Sequence, residues 1–179
     1  MIENVEKPRK MVAAGKGGAE VERGGTEGTP DMTKQLRLSG DSLEELGRLH
    51  AFFERLGREA GWSDKLTMDL LLCCEELLTN TITYGFAEAL PPGSRHAQLT
   101  VAAQPGNVTI ELSDNAAPFN PLLNPDPDLT LDLEHRPIGG LGVYFVKRIM
   151  DELHYESVVP GPGNKLVMRK YIETTPGGR

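Results

Sequence analysis

Glu76 and Asn80 stand four apart in the stretch Glu75-Glu76-Leu77-Leu78-Thr79-Asn80. On a helix that spacing stacks their side chains on one face. A carboxylate and a carboxamide beside an apolar stripe are costly to half-bury unless something uses them. Asn is also a mediocre residue for a helix interior. Hard oxygen ligands next to a bound phosphate suit Mg²⁺, which keeps most of its waters and takes one or two protein ligands. Chemistry of that kind makes Asn80 a Mg²⁺ ligand and Glu76 a general base. Taken alone, the pair reads more simply as the polar edge of an amphipathic helix.

Two stretches downstream change the balance. Leu112-Ser113-Asp114-Asn115-Ala116-Ala117-Pro118-Phe119-Asn120-Pro121 leaves a strand, and a carboxylate there can accept the exocyclic amine hydrogen of adenine. Gly139-Gly140-Leu141-Gly142 enters a helix. A helix N-terminus with bare glycine amides suits phosphates, and glycine lets a backbone turn sharply and approach closely. Between them, Ser113 to Pro137 is crowded with Pro, Asn and Asp. Irregular segments of that length inside a compact domain are usually functional lids or disordered, and a lid here would close over a nucleotide. Each piece is weak by itself, because Asp at a strand end is commonly a turn residue and Gly-Gly before a helix a connection. In the order Glu-x-x-x-Asn, Asp, Gly-Gly-x-Gly they are much harder to dismiss.

The elements that must position these residues follow from periodicity. Lys34-Gln35-Leu36-Arg37-Leu38 alternates as a strand. Asp41 or Ser42 can cap a first helix with Glu44 and Glu45 in its opening turn. Leu43, Leu46, Leu49, Phe52, Phe53, Leu56 and Ala60 give it a core face, and Gly61 ends it. Ser63 or Asp64 caps the second helix, whose Leu66, Leu70, Cys73 and Leu77 recur every three or four residues and which runs to about Tyr84, with Gly85 as its stop. Strands of about Ala97–Ala103 and Asn107–Leu112 form an antiparallel hairpin around Gln104-Pro105-Gly106-Asn107. A helix bearing Val143, Val146, Ile149 and Met150 and a second hairpin, Glu152–Val159 with Lys165–Ile172, close the chain. No internal repeat occurs.

With 179 residues the chain fits one domain plus tails. Residues 1–34 hold six acids, six bases, many glycines and no aromatic residue, a composition too poor in apolar surface to offset ordering entropy. They are expected to be a disordered tail, with residues 35–173 as the folded domain, a lid at 113–138, and 174–179 as a flexible end. The tail's Gly15-Lys16-Gly17-Gly18 lacks the spacing of a phosphate-binding loop. The whole net charge of −7 sits on the folded part, which argues against a nucleic-acid partner. Between Thr81 and His135 the only strong base is Arg95, so a bound triphosphate must be offset by Mg²⁺ and backbone amides. No run approaches a membrane span. Cys73 and Cys74 are adjacent in a helical run, and the four histidines show no metal-ligand spacing. A reduced, cytoplasmic protein is the expectation.

In these motifs the chain resembles the Bergerat-fold (GHKL) ATPases, and among them the anti-sigma-factor serine/threonine kinases of bacterial partner-switching systems. The resemblance spans about Gln35 to Ile172. Glu76-Leu-Leu-Thr-Asn80 is similar to the N box, Asp114 to Pro121 to the Asp-x-Gly-x-Pro-Phe-Asp-Pro box, and Gly139-Gly140-Leu141-Gly142-Val143 to the second glycine box. Met150-Asp151-Glu152-Leu153-His154-Tyr155 and Gly163-Asn164-Lys165-Leu166 match the usual close of the domain. Three positions depart. Ala116 stands where the family has glycine, Asn120 replaces an Asp, and Tyr84 sits where histidine is common.

The resemblance implies an α+β two-layer sandwich, a mostly antiparallel mixed sheet covered on one face by about three helices. It implies ATP and Mg²⁺ as ligands. Glu76 would be the catalytic base and Asn80 the Mg²⁺ ligand, and Asp114 would read adenine beside Ala116. Gly139, Gly140, Leu141, Gly142 and Asn164 would line the nucleotide site, with Arg136 against the γ-phosphate. The implied partners are a sigma factor, giving a role in transcription regulation, and an antagonist protein with a phosphorylatable serine or threonine; family members commonly pair as homodimers. Two other readings stand beside the kinase. One is a nucleotide-gated binding module without phosphotransfer, favoured by Ala116; the other is an orphan histidine-kinase-type ATPase domain.

Overall fold

The computed structural model describes residues 4–6, 31–86, 90–127, 141–158 and 163–172. Its elements, in chain order, are β1 (Asn4–Glu6), β2 (Met32–Ser39), α1 (Glu45–Ala60), α2 (Asp64–Asn80), β3 (His96–Gln104), β4 (Asn107–Asp114), α3 (Leu141–Ile149), β5 (Glu152–Ser157) and β6 (Asn164–Tyr171). A π-turn over Thr81–Gly85 continues α2, and a 3-10 turn covers Pro121–Leu123. The strands form one sheet in the order β1-β5-β6-β4-β3-β2. Every described pairing is antiparallel, where the sequence allowed a mixed sheet.

Strict alternation on the central strands decides which face is covered. Ala97, Leu99, Val101 and Ala103 of β3 and Val108, Ile110 and Leu112 of β4 are buried, while their neighbours in sequence are not. The period of two puts all of these side chains on one face. Against it pack Leu49, Phe52, Phe53 and Leu56 of α1, Leu70, Leu71, Cys73, Leu77 and Leu78 of α2, and Val146 of α3. The cysteines belong to this packing. Burial pushes the Cys73 thiol up to about 12 and the Cys74 thiol well above its ordinary range, so neither is a ready nucleophile.

The helix ends are set locally. Gly61 adopts φ 65° after α1, and Trp62 N–H closes the turn on Gly57 O at 2.9 Å. The Ser63 hydroxyl accepts from Leu66 N at 3.2 Å and caps α2. No side chain caps α1. Asp41 instead accepts from Gly93 N at 2.9 Å, and Ser42 Oγ from Glu44 N at 3.1 Å. Pro105-Gly106 makes the two-residue turn of the β3–β4 hairpin, with Gly106 at φ 88°.

Two expectations need correction. Residues 1–34 are not wholly outside the fold. Asn4–Glu6 pairs with β5, setting Val5 opposite Leu153, and β2 already begins at Met32. The open edge of β5 supplies backbone partners, which composition cannot signal. Secondly, α2 does not run on to Tyr84 with constant pitch. From Thr81 it widens, and Phe86 N–H donates to Thr81 O at 3.1 Å. Residues 7–30 and the C-terminal 174–179 lie outside the described residues.

Candidate nucleotide site

A cleft of about 910 Å³ opens between α2, α3 and the adjoining ends of β4 and β6. Glu76, Asn80, Asp114, Ala116, Leu141, Gly142 and Asn164 all line it, so the structure brings these seven predicted residues together. Arg136, Gly139 and Gly140 lie outside the described residues, as does the lid from 128 onward.

Asp114 ends β4 directly opposite Asn164, the first residue of β6. Its Oδ1 accepts from Asn164 Nδ2 at 2.8 Å and from Ala116 N at 2.9 Å, and its Oδ2 from the Thr81 hydroxyl at 3.5 Å. Burial raises the carboxyl above its ordinary value of 3.8, and these three bonds work against that rise. Asn164 is the hub of the corner. Its Nδ2 also donates to Ala117 O at 3.0 Å, and its Oδ1 accepts from Phe119 N and from the Tyr155 hydroxyl, each at 2.7 Å. With two donors and two acceptances in use, the Asn164 amide holds the corner in place rather than reaching toward a ligand. Burial correspondingly raises the Tyr155 phenol.

The π-turn is stitched to the same corner. Thr81 reaches Asp114, and Gly85 O accepts from Ala117 N at 3.3 Å. Ala116 is 1% exposed, and a Cβ built on Gly85 would stand 3.1 Å from the Ala116 methyl. The methyl that fills the family's glycine position is therefore packed where Gly85 has no side chain. Asn120 Oδ1 accepts from Leu122 N at 2.9 Å and caps the 3-10 turn, which an amide oxygen does as well as a carboxylate. Tyr84 is 77% exposed.

The adjacent glutamates separate as the helical period requires. Glu75 meets His50 Nε2 at 3.1 Å and ties α2 to α1. Glu76 faces the cleft on one stripe with Asn80, and among the described residues neither side chain forms a hydrogen bond or ion pair. No group of three or more His, Cys, Asp or Glu that could hold a metal ion occurs among the described residues. A Mg²⁺ site there fits only as one protein oxygen, from Asn80, completed by phosphate oxygens and water. At the near end of the lid, Lys147 of α3 donates to Asn124 O at 2.7 Å and meets Asp126 at 3.1 Å. Sequence reasoning missed this anchor, because a lysine in the last turn of a helix ordinarily faces solvent.

The comparisons with known proteins concern the family and the fold. A sequence profile of the histidine kinase-like ATPase domain matches residues 41–170, from the loop before α1 through most of β6. The serine/threonine-protein kinase BtrW of Bordetella bronchiseptica is 27% identical over 124 residues, covering 69% of this chain and 84% of its own. The serine-protein kinase RsbW of Listeria monocytogenes is 28% identical over 149 residues, covering 79% and 87%. Among solved structures, that of the RsbU and RsbW domains of Rv1364c from Mycobacterium tuberculosis superimposes with a TM-score of 0.51 at 13% identity. The match covers 78% of this chain but spans only 32% of that one, and it speaks for the fold alone. No helix among the described residues is long and apolar enough to cross a membrane.

Proposed function

The chain belongs to the histidine kinase-like ATPase domain family, and from that premise we propose that it is an ATP-dependent protein serine/threonine kinase acting as an anti-sigma factor in a partner-switching system. The observation that carries the reading is the gathering of Glu76, Asn80 and Asp114 in one cleft. The kinase names of relatives that match over most of their length support it.

In this reading Asp114 accepts the exocyclic amine hydrogen of adenine, held at the right angle by Asn164, Thr81 and the Ala116 amide. Asn80 would hold a Mg²⁺ ion through its amide oxygen, and the ion would offset charge on the phosphates. The amides of Gly139 to Gly142 cradle the phosphates, and Arg136 meets the γ-phosphate. Glu76 takes the proton from a serine or threonine hydroxyl of the antagonist protein. The hydroxyl oxygen bonds to the γ-phosphorus as the bond to the β-phosphate oxygen breaks and ADP leaves. Such transfer relies on positioning and charge stabilisation, so Glu76 needs reach more than a shifted pKa.

The reading as a binding module without phosphotransfer is favoured by Ala116, which lines the cleft while its methyl packs beside Gly85. The test is transfer of label from γ-labelled ATP to a serine-bearing antagonist protein. Label on the antagonist with the unsubstituted chain and none with Glu76→Gln is expected. Equal labelling by both would remove Glu76 from the mechanism.

A further inference from the structure

Gly142 is the second residue of α3 and has an ordinary helical backbone, since the positive-φ glycines among the described residues are Gly61, Gly93 and Gly106. Conformation therefore does not demand glycine there. Glycine is also a poorer helix former than alanine, so propensity gives no reason for the position to be bare. A Cβ built on Gly142 would lie 2.0 Å from Oε2 of Glu76, 2.7 Å from its Cδ and 3.2 Å from its Cγ. All three of the nearest atoms belong to one side chain. The space is filled by the carboxylate.

The obstacle is the far end of a flexible side chain. Gly163 differs, because its Cβ would meet the backbone oxygen of Asp114 at 2.9 Å. A methyl on Gly142 could be admitted simply by Glu76 swinging away. Among the described residues Glu76 has no hydrogen bond or ion pair to hold it, and its carboxylate occupies the space that a side chain on Gly142 would take. We propose that Gly142 is a positioning residue for Glu76: its missing side chain reserves the place in which the carboxylate sits between α2 and α3. The inference rests on the role of Glu76 as base and adds a reason for the glycine other than phosphate binding.

The test uses Gly142→Ala in the full chain. Melting followed by the fluorescence of Trp62, the single tryptophan, should give a Tm equal to or above that of the unsubstituted protein, because alanine is the better helix former. In ¹³C-glutamate-labelled protein the Glu76 Cδ resonance, assigned by its loss in Glu76→Gln, should move. Phosphoryl transfer from MgATP should fall about 100-fold, the scale of a displaced general base. In a Glu76→Gln background Gly142→Ala should cost no further transfer. An unmoved Glu76 resonance would overturn the proposal. So would a drop of about 5 °C in Tm that Glu76→Ala does not relieve, which would make Gly142 structural. A loss of MgATP affinity, equal in both backgrounds, that accounts for the whole loss of transfer would leave nothing for the position of Glu76 to explain and overturn it too. If the unsubstituted chain binds no MgATP, the kinase reading fails separately, and the Glu76 resonance still decides what Gly142 does.

Discussion

At the β4 end of the cleft Asp114 is held by three hydrogen bonds and Asn164 by four, whereas at the α2 end Glu76 and Asn80 form none among the described residues. The first region is wired before any ligand arrives, and its polar groups are matched within the protein. The second leaves a carboxylate and an amide oxygen with acceptor capacity to spare. Preorganised recognition beside an unsatisfied reaction centre means that the two tasks rest on different contacts. Binding of the base and transfer of the phosphoryl group should therefore fail separately.

The largest expected effect lies at the unwired end. Glu76→Gln keeps shape and removes the proton acceptor, so phosphoryl transfer should drop by roughly 10²–10⁴-fold, read as initial rates. Its MgATP affinity should stay within about threefold, since a glutamine side chain fills the same volume as the glutamate it replaces.

Next comes Asp114→Asn. The new Oδ1 can still accept from Asn164 and Ala116, and the new Nδ2 can donate to the Thr81 hydroxyl, so the corner survives. Adenine's amine would then meet a donor, and affinity should fall about 100-fold by calorimetry, the scale of one unsatisfied polar group. The same variant carries a pH signature. Burial raises the folded pKa of Asp114 above its ordinary value of 3.8, so over the interval between the two the native state binds the extra proton. The charged carboxylate weakens the fold above that interval, and the weakness is relieved as pH falls through the folded pKa. Asp114→Asn should thus melt at or above the unsubstituted protein at neutral pH, and the gap should close on acidification.

Asn164→Ala removes four hydrogen bonds that join β6 to Phe119, Tyr155, Asp114 and Ala117. A loss of about 2 kcal/mol would lower Tm by roughly 6 °C, with MgATP affinity down about tenfold because Asp114 loses its aim. The smallest effect is expected at the join between the regions. Gly85→Ala would press on Ala116 at 3.1 Å and weaken MgATP about threefold, and Ala116→Gly in the same chain should restore it.

Much of this was legible in the sequence, and its limits have a physical cause. Helical spacing placed Glu76 and Asn80 on one stripe, because i to i+4 contacts are local. The turn chemistry of Pro105-Gly106 located the β3–β4 hairpin for the same reason. Asn164 came to notice only through family resemblance, since its bond to Asp114 spans 50 residues and no spacing rule reports such a partner. The pairing of Asn4–Glu6 with β5 was hidden likewise, being backbone to backbone between distant segments. The place of Gly142 in a glycine cluster points to the phosphates. That its face is filled by Glu76 depends on how α2 and α3 pack, which emerges only from the fold.

The most direct test of the central claim is calorimetric titration of MgATP into the unsubstituted chain, Asp114→Asn and Glu76→Gln side by side. The account predicts micromolar-range, Mg²⁺-dependent binding that Asp114→Asn loses and Glu76→Gln retains. No binding by the unsubstituted chain, or equal loss in both variants, would contradict it.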